Sequence, residues 1–472
     1  MSDMTTTEHL HLDPDRLFPA DPRTRDIARE LFSEVANLAI LSPHGHVPAE
    51  WIADDEPFAD PTSLLLSPDH YVTRLLHASG VDLAQLGVGG TAADPREAWR
   101  IFCARWGLFT GTASAGWLEH VFSHVFAVSE VPSAATADII YDRISRSLAT
   151  PEFRPRALFE RFRIEALATT DDPLDDLDAH RRISADPTFR GRVLPTFRPD
   201  KYIDPEAPGF ANAVARLADQ HGIAVDDYRG YITALEERRA HFVARGAVSA
   251  DHGVADAYTT VLDADDAAAL FRRAVRGKLS PAEAREFRGH MLVEMARMSV
   301  ADGLVMTLHP GVQRNHSSVT FRDFGPDSGH DIPVRVEFTR GLRPLLERHG
   351  LERDFHLVLF TIDETAYSRE IAPLAGFYPS VFIGAPWWFL DAPDAIGRFR
   401  AAVTETAGFS RGSGFIDDTR AFLSIPARHD VARRSEAAFL ARYVAEGRIS
   451  LARAREIIVD LVDRQPREVF KL

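Results

Sequence analysis

Leu38-Ala39-Ile40-Leu41-Ser42-Pro43-His44-Gly45-His46 is the stretch on which the fold turns. Its apolar opening, Leu38–Ser42, has the length of a buried strand and is too short for a helix. It ends in two histidines two positions apart. Residues i and i+2 of a strand point to one face, so both imidazoles project together from the strand end. Two neutral imidazoles so spaced form a clamp for a divalent metal. The spacing alone is weak: His9-Leu10-His11 repeats it, follows no apolar run, and reads as solvated.

The same design, a short apolar run closed by a polar cluster, recurs along the chain. Ile164–Ala168 precedes TTDDP, Val193–Phe197 precedes RPDK, Ala247–Ala250 precedes DHG, and Gly303–Leu308 precedes HPG. Phe355–Ile362 precedes DET, Ser380–Pro386 precedes WWF, and Gly412–Ile416 precedes DDTR. Amphipathic helical patterns lie between most of the runs. Examples are Thr24–Val35, with Thr24 as its N-cap, Gly341–Arg348, and Pro393–Thr406, whose proline suits the opening turn. Strands alternating with helices imply parallel pairing with right-handed crossovers. Eight such units predict an α/β fold, a distorted (β/α)8 TIM-like barrel with its active site at the carboxyl ends of the strands. That is where the polar clusters lie.

Three gaps, at about 48–162, 202–246 and 253–300, are too long for ordinary βα loops. Their helical patterns include Glu97–Trp106, Trp117–Phe126, Ala137–Leu148 and Pro281–Met298. They read as helical insertions on one domain spanning 1–472, because no Gly/Ser linker or internal repeat divides the chain.

Composition bounds the function. With 45% hydrophobic and 26% charged residues, the chain belongs with globular proteins. A net charge of −15 argues against nucleic-acid and anionic-membrane partners, both of which need a basic face. No apolar run is long enough to cross a bilayer. The opening MSDMTTTEHLHLDPDR has neither the basic nor the apolar segment of a secretory leader, so a cytoplasmic location is expected. Cys103 is the only cysteine, which excludes an intrachain disulfide and a thiolate cluster.

The eighth run ends in Asp417-Asp418-Thr419-Arg420. In a closed barrel the eighth strand neighbours the first, so Asp418 meets His44 and His46. Two imidazoles and one carboxylate leave metal positions open for substrate, as a catalytic site needs. One divalent ion, zinc, is the expected cofactor.

These features resemble the amidohydrolase superfamily, and further motifs are similar to those of its uronate isomerase branch. They are Asp69-His70-Tyr71, Thr169-Thr170-Asp171-Asp172-Pro173, Arg198-Pro199-Asp200-Lys201 and Ser249-Ala250-Asp251-His252-Gly253. Leu308-His309-Pro310-Gly311-Val312-Gln313-Arg314-Asn315, Trp387-Trp388-Phe389 and Asp418-Thr419-Arg420-Ala421-Phe422-Leu423-Ser424 follow in the family's order. The resemblance runs from about residue 25 to the C-terminus. It implies His44, His46 and Asp418 as metal ligands. It also implies His70, Tyr71, Asp251, Asp418 and Arg420 as catalytic residues, and Arg198, His309, Arg314 and Trp387 as substrate-binding ones. The family's usual Asp-Tyr-His-Cys-His-Leu is here Ser42-Pro43-His44-Gly45-His46-Val47, a departure that bears on metal affinity and substrate preference.

The implied activity is aldose–ketose isomerisation of a small uronic acid, in a homo-oligomer: D-glucuronate with D-fructuronate, and D-galacturonate with D-tagaturonate. Such a reaction moves a proton between C2 and C1 and needs an acid/base, oxyanion stabilisation and a grip on an anionic chain. Arg198, Arg314 and Arg420 end predicted strand regions and suit that grip. Tyr71 serves as acid/base if an arginine or the metal lowers its pKa, and otherwise packs on the helix after Asp69. Trp387 covers the sugar while Trp388 packs outside the barrel. Asp171 and Asp172 cap a helix or touch substrate. Arg433 and Arg434, outside every motif, read as surface residues. The rival activities are a metal-dependent hydrolase or decarboxylase of the same superfamily and a non-catalytic sugar-acid binder. For a two-metal hydrolase the set is incomplete, since the sixth run ends in Asp363-Glu364-Thr365 with no histidine.

Overall fold

Pro195 has no N–H to give a sheet, and the third apolar run breaks there into two short strands. In the computed structural model, which describes residues 9–472, β1 (Ile40–Ser42), β2 (Ile164–Ala168) and β3 (Arg192–Leu194) form a parallel sheet in that order. Beyond Pro195, β4 (Thr196–Phe197) starts a second sheet with β5 (Ser249–His252) and β6 (Val305–Leu308). The chain then makes a separate antiparallel hairpin, β7 (Val312–Gln313) and β8 (Ile332–Pro333), around the helix Ser318–Phe324. Strands β9 (Leu357–Leu359) and β10 (Val381–Ile383) complete the second sheet in the order β4-β5-β6-β9-β10, all parallel. A single bridge, Asp171 to Phe197, ties the first sheet to the second. Apart from the β7–β8 hairpin, which stands outside the two sheets, neighbours in space follow one another in the chain.

Seven of the eight expected runs contain strand. The eighth, Gly412–Ile416, does not: among the described residues it makes one parallel bridge, Ile383 to Gly412. Gly414, at φ +76°, turns the backbone out of the extended region and ends the pairing. The chain nevertheless returns to the first strand, since His46 N donates to Thr419 O at 3.0 Å.

The long gaps are helical, as expected. The first carries Pro95–Ala104, Ala113–His120 and Ala137–Leu148 among other helices; the others carry Phe210–His221, Tyr228–Val243, Ala264–Ala274 and Pro281–Asp302. The last starts on a capping box formed by Ser280 and Glu283 and outruns its predicted end at Met298, because the left-handed stop comes only at Gly303, at φ +81°. The first helix runs Pro22–Val35, and its cap is Asp21, which accepts from Thr24 N at 2.9 Å; Thr24 is not the cap. The helices of the first gap are mostly short and hold through burial, not propensity. Trp99, Phe102, Phe109 and Phe122 are fully buried among them, each contributing roughly 1.5–3 kcal/mol.

Two expectations fail on packing. Arg433 and Arg434 are only 6% exposed, because their helix, Ile425–Ala445, is sandwiched by Pro22–Val35 and its other neighbours. Trp388 is also buried, and it faces the cavity beside His70, the two rings tilted at 5.4 Å. Among the described residues no helix is long and apolar enough to cross a membrane. The first eight residues of the N-terminal reading lie outside the described residues.

Candidate active site

β1 delivers His44 and His46, β5 carries Asp251, and His309 follows the last residue of β6. Asp418 arrives from the eighth run with φ +42°, a left-handed conformation that a non-glycine residue holds only when its surroundings insist. Asp417 beside it is anchored by His429 Nε2 at 3.1 Å, and Thr170 Oγ1 donates to Gly45 O at 2.8 Å. The loops around the ligands are thus tied from both sides.

His44 Nε2 and His46 Nε2 lie 3.1 and 3.0 Å from the same atom, Asp418 Oδ1. His309 Nδ1 is 2.6 Å from Asp251 Oδ1, and the His44 and His309 rings stack at 4.7 Å. Two triads share His44: His44/His46/Asp418 and His44/Asp251/His309. Asp418 Oδ1, Asp251 Oδ2 and both His309 ring nitrogens are buried without a hydrogen-bond partner. Donor atoms of one ion at about 2.0–2.2 Å from it lie roughly 3.0–3.5 Å apart. The orphaned atoms and their spacing fit a divalent metal. The structure thereby adds Asp251 and His309 to the ligand candidates. An added Cβ at Gly45 would meet only ordinary contacts, so the glycine is not demanded by crowding.

Above these groups opens a cavity of about 420 Å³. His46, His70, Tyr71, Arg198, Arg314, Trp387, Asp418 and Arg420, all expected site residues, line it. His44, Asp251 and His309 sit beneath, at most 4% exposed. Arg198 spans the two levels, with Nη1 3.2 Å from Asp251 Oδ2 and Nε donating to Asp200 at 2.8 Å. Arg314 comes from the β7–β8 hairpin and not from a strand of the main sheets; it pairs with Asp331 at 2.8 Å over the Trp388 ring. Arg420 lies 3.4 Å from Asp327. Trp387 meets His309 edge-on at 4.8 Å, and its buried Nε1 has no partner. Asp171 and Asp172 cap no helix: Asp171 accepts from Thr196 N, and Asp172 from Leu174 N and Tyr202.

Burial opposes ionisation of Asp251, but the His309, His44 and Arg198 charges outweigh it and hold the carboxyl well below the usual range. Burial likewise works against Asp418, but the His44 and His46 imidazoles set against its Oδ1 hold it well below the usual range. Burial, helped by Arg420, pushes His70 down to about 4, so this imidazole is neutral at physiological pH. Tyr71 does not meet the condition for an acid/base through its arginine neighbour. Burial and the Asp391 charge raise it well above an ordinary phenol, and nearby Arg428 does not compensate. It is a protonated hydrogen-bond donor, not a phenolate.

Asp391 and Arg428 were not foreseen. Tyr71 Oη donates to Asp391 Oδ2 at 3.2 Å, and Arg428 Nη1 donates to the same oxygen at 2.6 Å. The Arg428 guanidinium lies over the Trp117 ring at 3.6 Å. Burial pushes the Asp391 carboxyl up to about 7 against the pull of Arg428. Asp391 follows the Trp387-Trp388-Phe389 motif by two residues, a proximity that could have drawn notice. Arg428 sits in the first turn of the helix Ile425–Ala445, with no local signal at all.

The glucuronate isomerase family model matches residues 23–470. The uronate isomerase of Corynebacterium efficiens is 57% identical over 471 residues, 99% of this chain and 100% of that protein. The crystal structure of glucuronate isomerase from Caulobacter crescentus superposes with a TM-score of 0.96 at 49% identity, covering 98% of this chain and 97% of that one. A uronate isomerase structure from Thermotoga maritima gives 0.92 at 28% identity, over 98% and 99%. With nearly its whole length matched, the chain belongs to the glucuronate isomerase family.

Proposed function

We propose that this protein interconverts D-glucuronate with D-fructuronate, and D-galacturonate with D-tagaturonate, on a single domain whose strands close as a distorted (β/α)8 barrel around one zinc ion. The observation that carries the reading is the convergence of two imidazole–carboxylate triads and three arginines on one cavity. The His46 N to Thr419 O bond supports closure between the eighth run and the first strand. Nitrogen and oxygen donors with no thiolate suit zinc.

His44, His46 and Asp418, with Asp251 and His309 adjacent, are the residues that would hold the ion. When bound, it polarises a substrate carbonyl or hydroxyl oxygen. Arg314 and Arg420 grip the carboxylate through N–H groups their aspartates leave free. Arg198, fixed by Asp200 and Asp251, stabilises the charge that develops on oxygen as C2 loses its proton. Asp418 gives one oxygen to the two imidazoles and uses the other to carry the proton from C2 to C1. Tyr71, a neutral phenol, turns its single O–H from Asp391 to a substrate oxygen and hydrogen-bonds it, while the proton that the C2 hydroxyl gives up passes to O1. Trp387 and Trp388 close the cavity against water.

Incubating the protein with each uronic acid in heavy water, followed by NMR, tests the reading. Ketose of unchanged carbon skeleton, with deuterium entering to the extent that the carried proton exchanges, is expected. Release of ammonia, carbon dioxide or an alcohol would decide for hydrolysis or decarboxylation.

A further inference from the structure

A second cavity, of about 610 Å³, lies at the other end of β1. Ile40, the first residue of that strand, lines it, as do Phe162 and Arg163 just before β2. The reaction site begins beyond the far end of the same strand. Although the protein carries a net charge of −15, five arginines line this cavity: Arg16, Arg161, Arg163, Arg433 and Arg434. The one carboxylate on its wall, Asp430, is engaged by Arg16 and by Arg434 at 2.9 Å.

That leaves three guanidinium groups with no carboxylate within 4.0 Å among the described residues, although Asp430 and Asp463 act on Arg433 from further away. Arg161 bonds only the carbonyls of His124 and Val125, and Arg163 only Asn37. Arg433 bonds the carbonyls of Ala36 and Ala39, is 6% exposed, and keeps its buried Nε with no partner at all. Burying a guanidinium beside others without a counter-charge is costly unless an anion compensates it. His120 and His124 stack at 4.6 Å on the same wall and present further nitrogens. Planar, fixed guanidinium forks match tetrahedral oxyanions better than isolated ammonium groups do. A lone uronate carboxylate would satisfy one such fork, whereas three stand uncompensated here.

We infer that this cavity, framed by Arg161, Arg163 and Arg433 at the amino-terminal end of β1, is a binding site for a phosphate-bearing small molecule, separate from the reaction site. The cavity exceeds a bare phosphate ion, so the site admits an organic phosphate as well as the inorganic ion.

Isothermal titration of the whole protein with inorganic phosphate, and separately with glucose 6-phosphate, tests the inference and distinguishes the two sources. Saturable binding of at least one probe is expected, and the tighter one identifies the source. Arg161→Gln/Arg163→Gln removes two exposed forks outside the reaction site. It should weaken binding by about tenfold or more while leaving turnover of uronate unchanged. A second measurement needs no variant: saturating D-glucuronate should leave the phosphate affinity unchanged, because the two cavities lie at opposite strand ends. Absence of saturable binding of both probes, binding indifferent to the double substitution, or competition with D-glucuronate would each overturn the assignment.

Discussion

Replacing Gly253 by alanine should damage the reaction site without adding or removing any functional group. Gly253 follows β5 directly, and its N–H donates to Asp200 Oδ1 at 2.9 Å. A Cβ at this position would stand 2.9 Å from Asp200 Oδ2 and nearer still to Arg198 Nη2. Contacts become ordinary at about 3.4 Å, so the carboxylate must retreat by 3.4 − 2.9 = 0.5 Å. The guanidinium must move further, on the order of 1 Å by the usual reach of van der Waals contact. The flexible end of Arg198 can give, and the fold should survive. What cannot survive unchanged is its hydrogen bond to Asp200 at 2.8 Å, or its ion pair with Asp251 at 3.2 Å. A charge-assisted bond of this kind is worth roughly 1.5–3 kcal/mol. A misplacement of about 1 Å in a reacting array costs on the order of a hundredfold.

For Gly253→Ala we therefore expect kcat/KM on D-glucuronate to fall by about 30- to 100-fold, with far-ultraviolet circular dichroism unchanged. Arg198→Lys should also be deleterious, since an ammonium has no planar fork. In the alanine background it should cost far less, because the fork is already displaced, and the double-mutant cycle should be strongly non-additive. Near-normal kcat/KM in Gly253→Ala, or strict additivity with Arg198→Lys, would refute the claim that Arg198 works through its fixed position.

Further outcomes follow from other parts of the molecule. His44 belongs to both triads, so His44→Ala should strip most of the metal measured by atomic emission, and His46→Ala and Asp418→Ala should each lower it; full occupancy in His44→Ala/His46→Ala would eliminate the proposed ligands. Arg314→Lys and Arg420→Lys should each lose about tenfold or more in kcat/KM; if both stayed near normal, neither would be holding the substrate carboxylate. Arg433→Gln removes a buried charge that no ion pair compensates, so the unfolding temperature in phosphate-free buffer should hold or rise; a clear fall would show that the charge is already compensated. His180 is pushed down to about 4 by burial, so between its unfolded value near 6.5 and pH 4 the unfolded chain holds the extra proton. Stability should then fall with acidification by about 1.4 kcal/mol per pH unit from this group; His180→Asn should flatten the denaturation profile by that amount, and an unchanged slope would show that His180 titrates normally.

Much of this was legible because it is local. A buried strand announces itself in consecutive apolar residues, and a strand end in the polar cluster that follows. His44, His46, Asp251, His309 and Asp418 all belong to such clusters, so the chain order alone places them at strand ends. The strand breaks at Pro195 and Gly414 are equally local, and attention to backbone chemistry would have anticipated them. Tertiary structure decided whatever depends on partners remote in the chain. Tyr71 meets Asp391 across 320 residues, and that encounter, with burial, raises its pKa well above that of an ordinary phenol. Arg428 is indistinguishable in sequence from its neighbours Arg433 and Arg434; one enters the reaction site and the others enter a second cavity, because the helix Ile425–Ala445 is covered on several sides. Residue type and spacing determine what a side chain is able to do. The dielectric and the charges around it exist only once distant segments pack, and they determine which of those abilities it exercises.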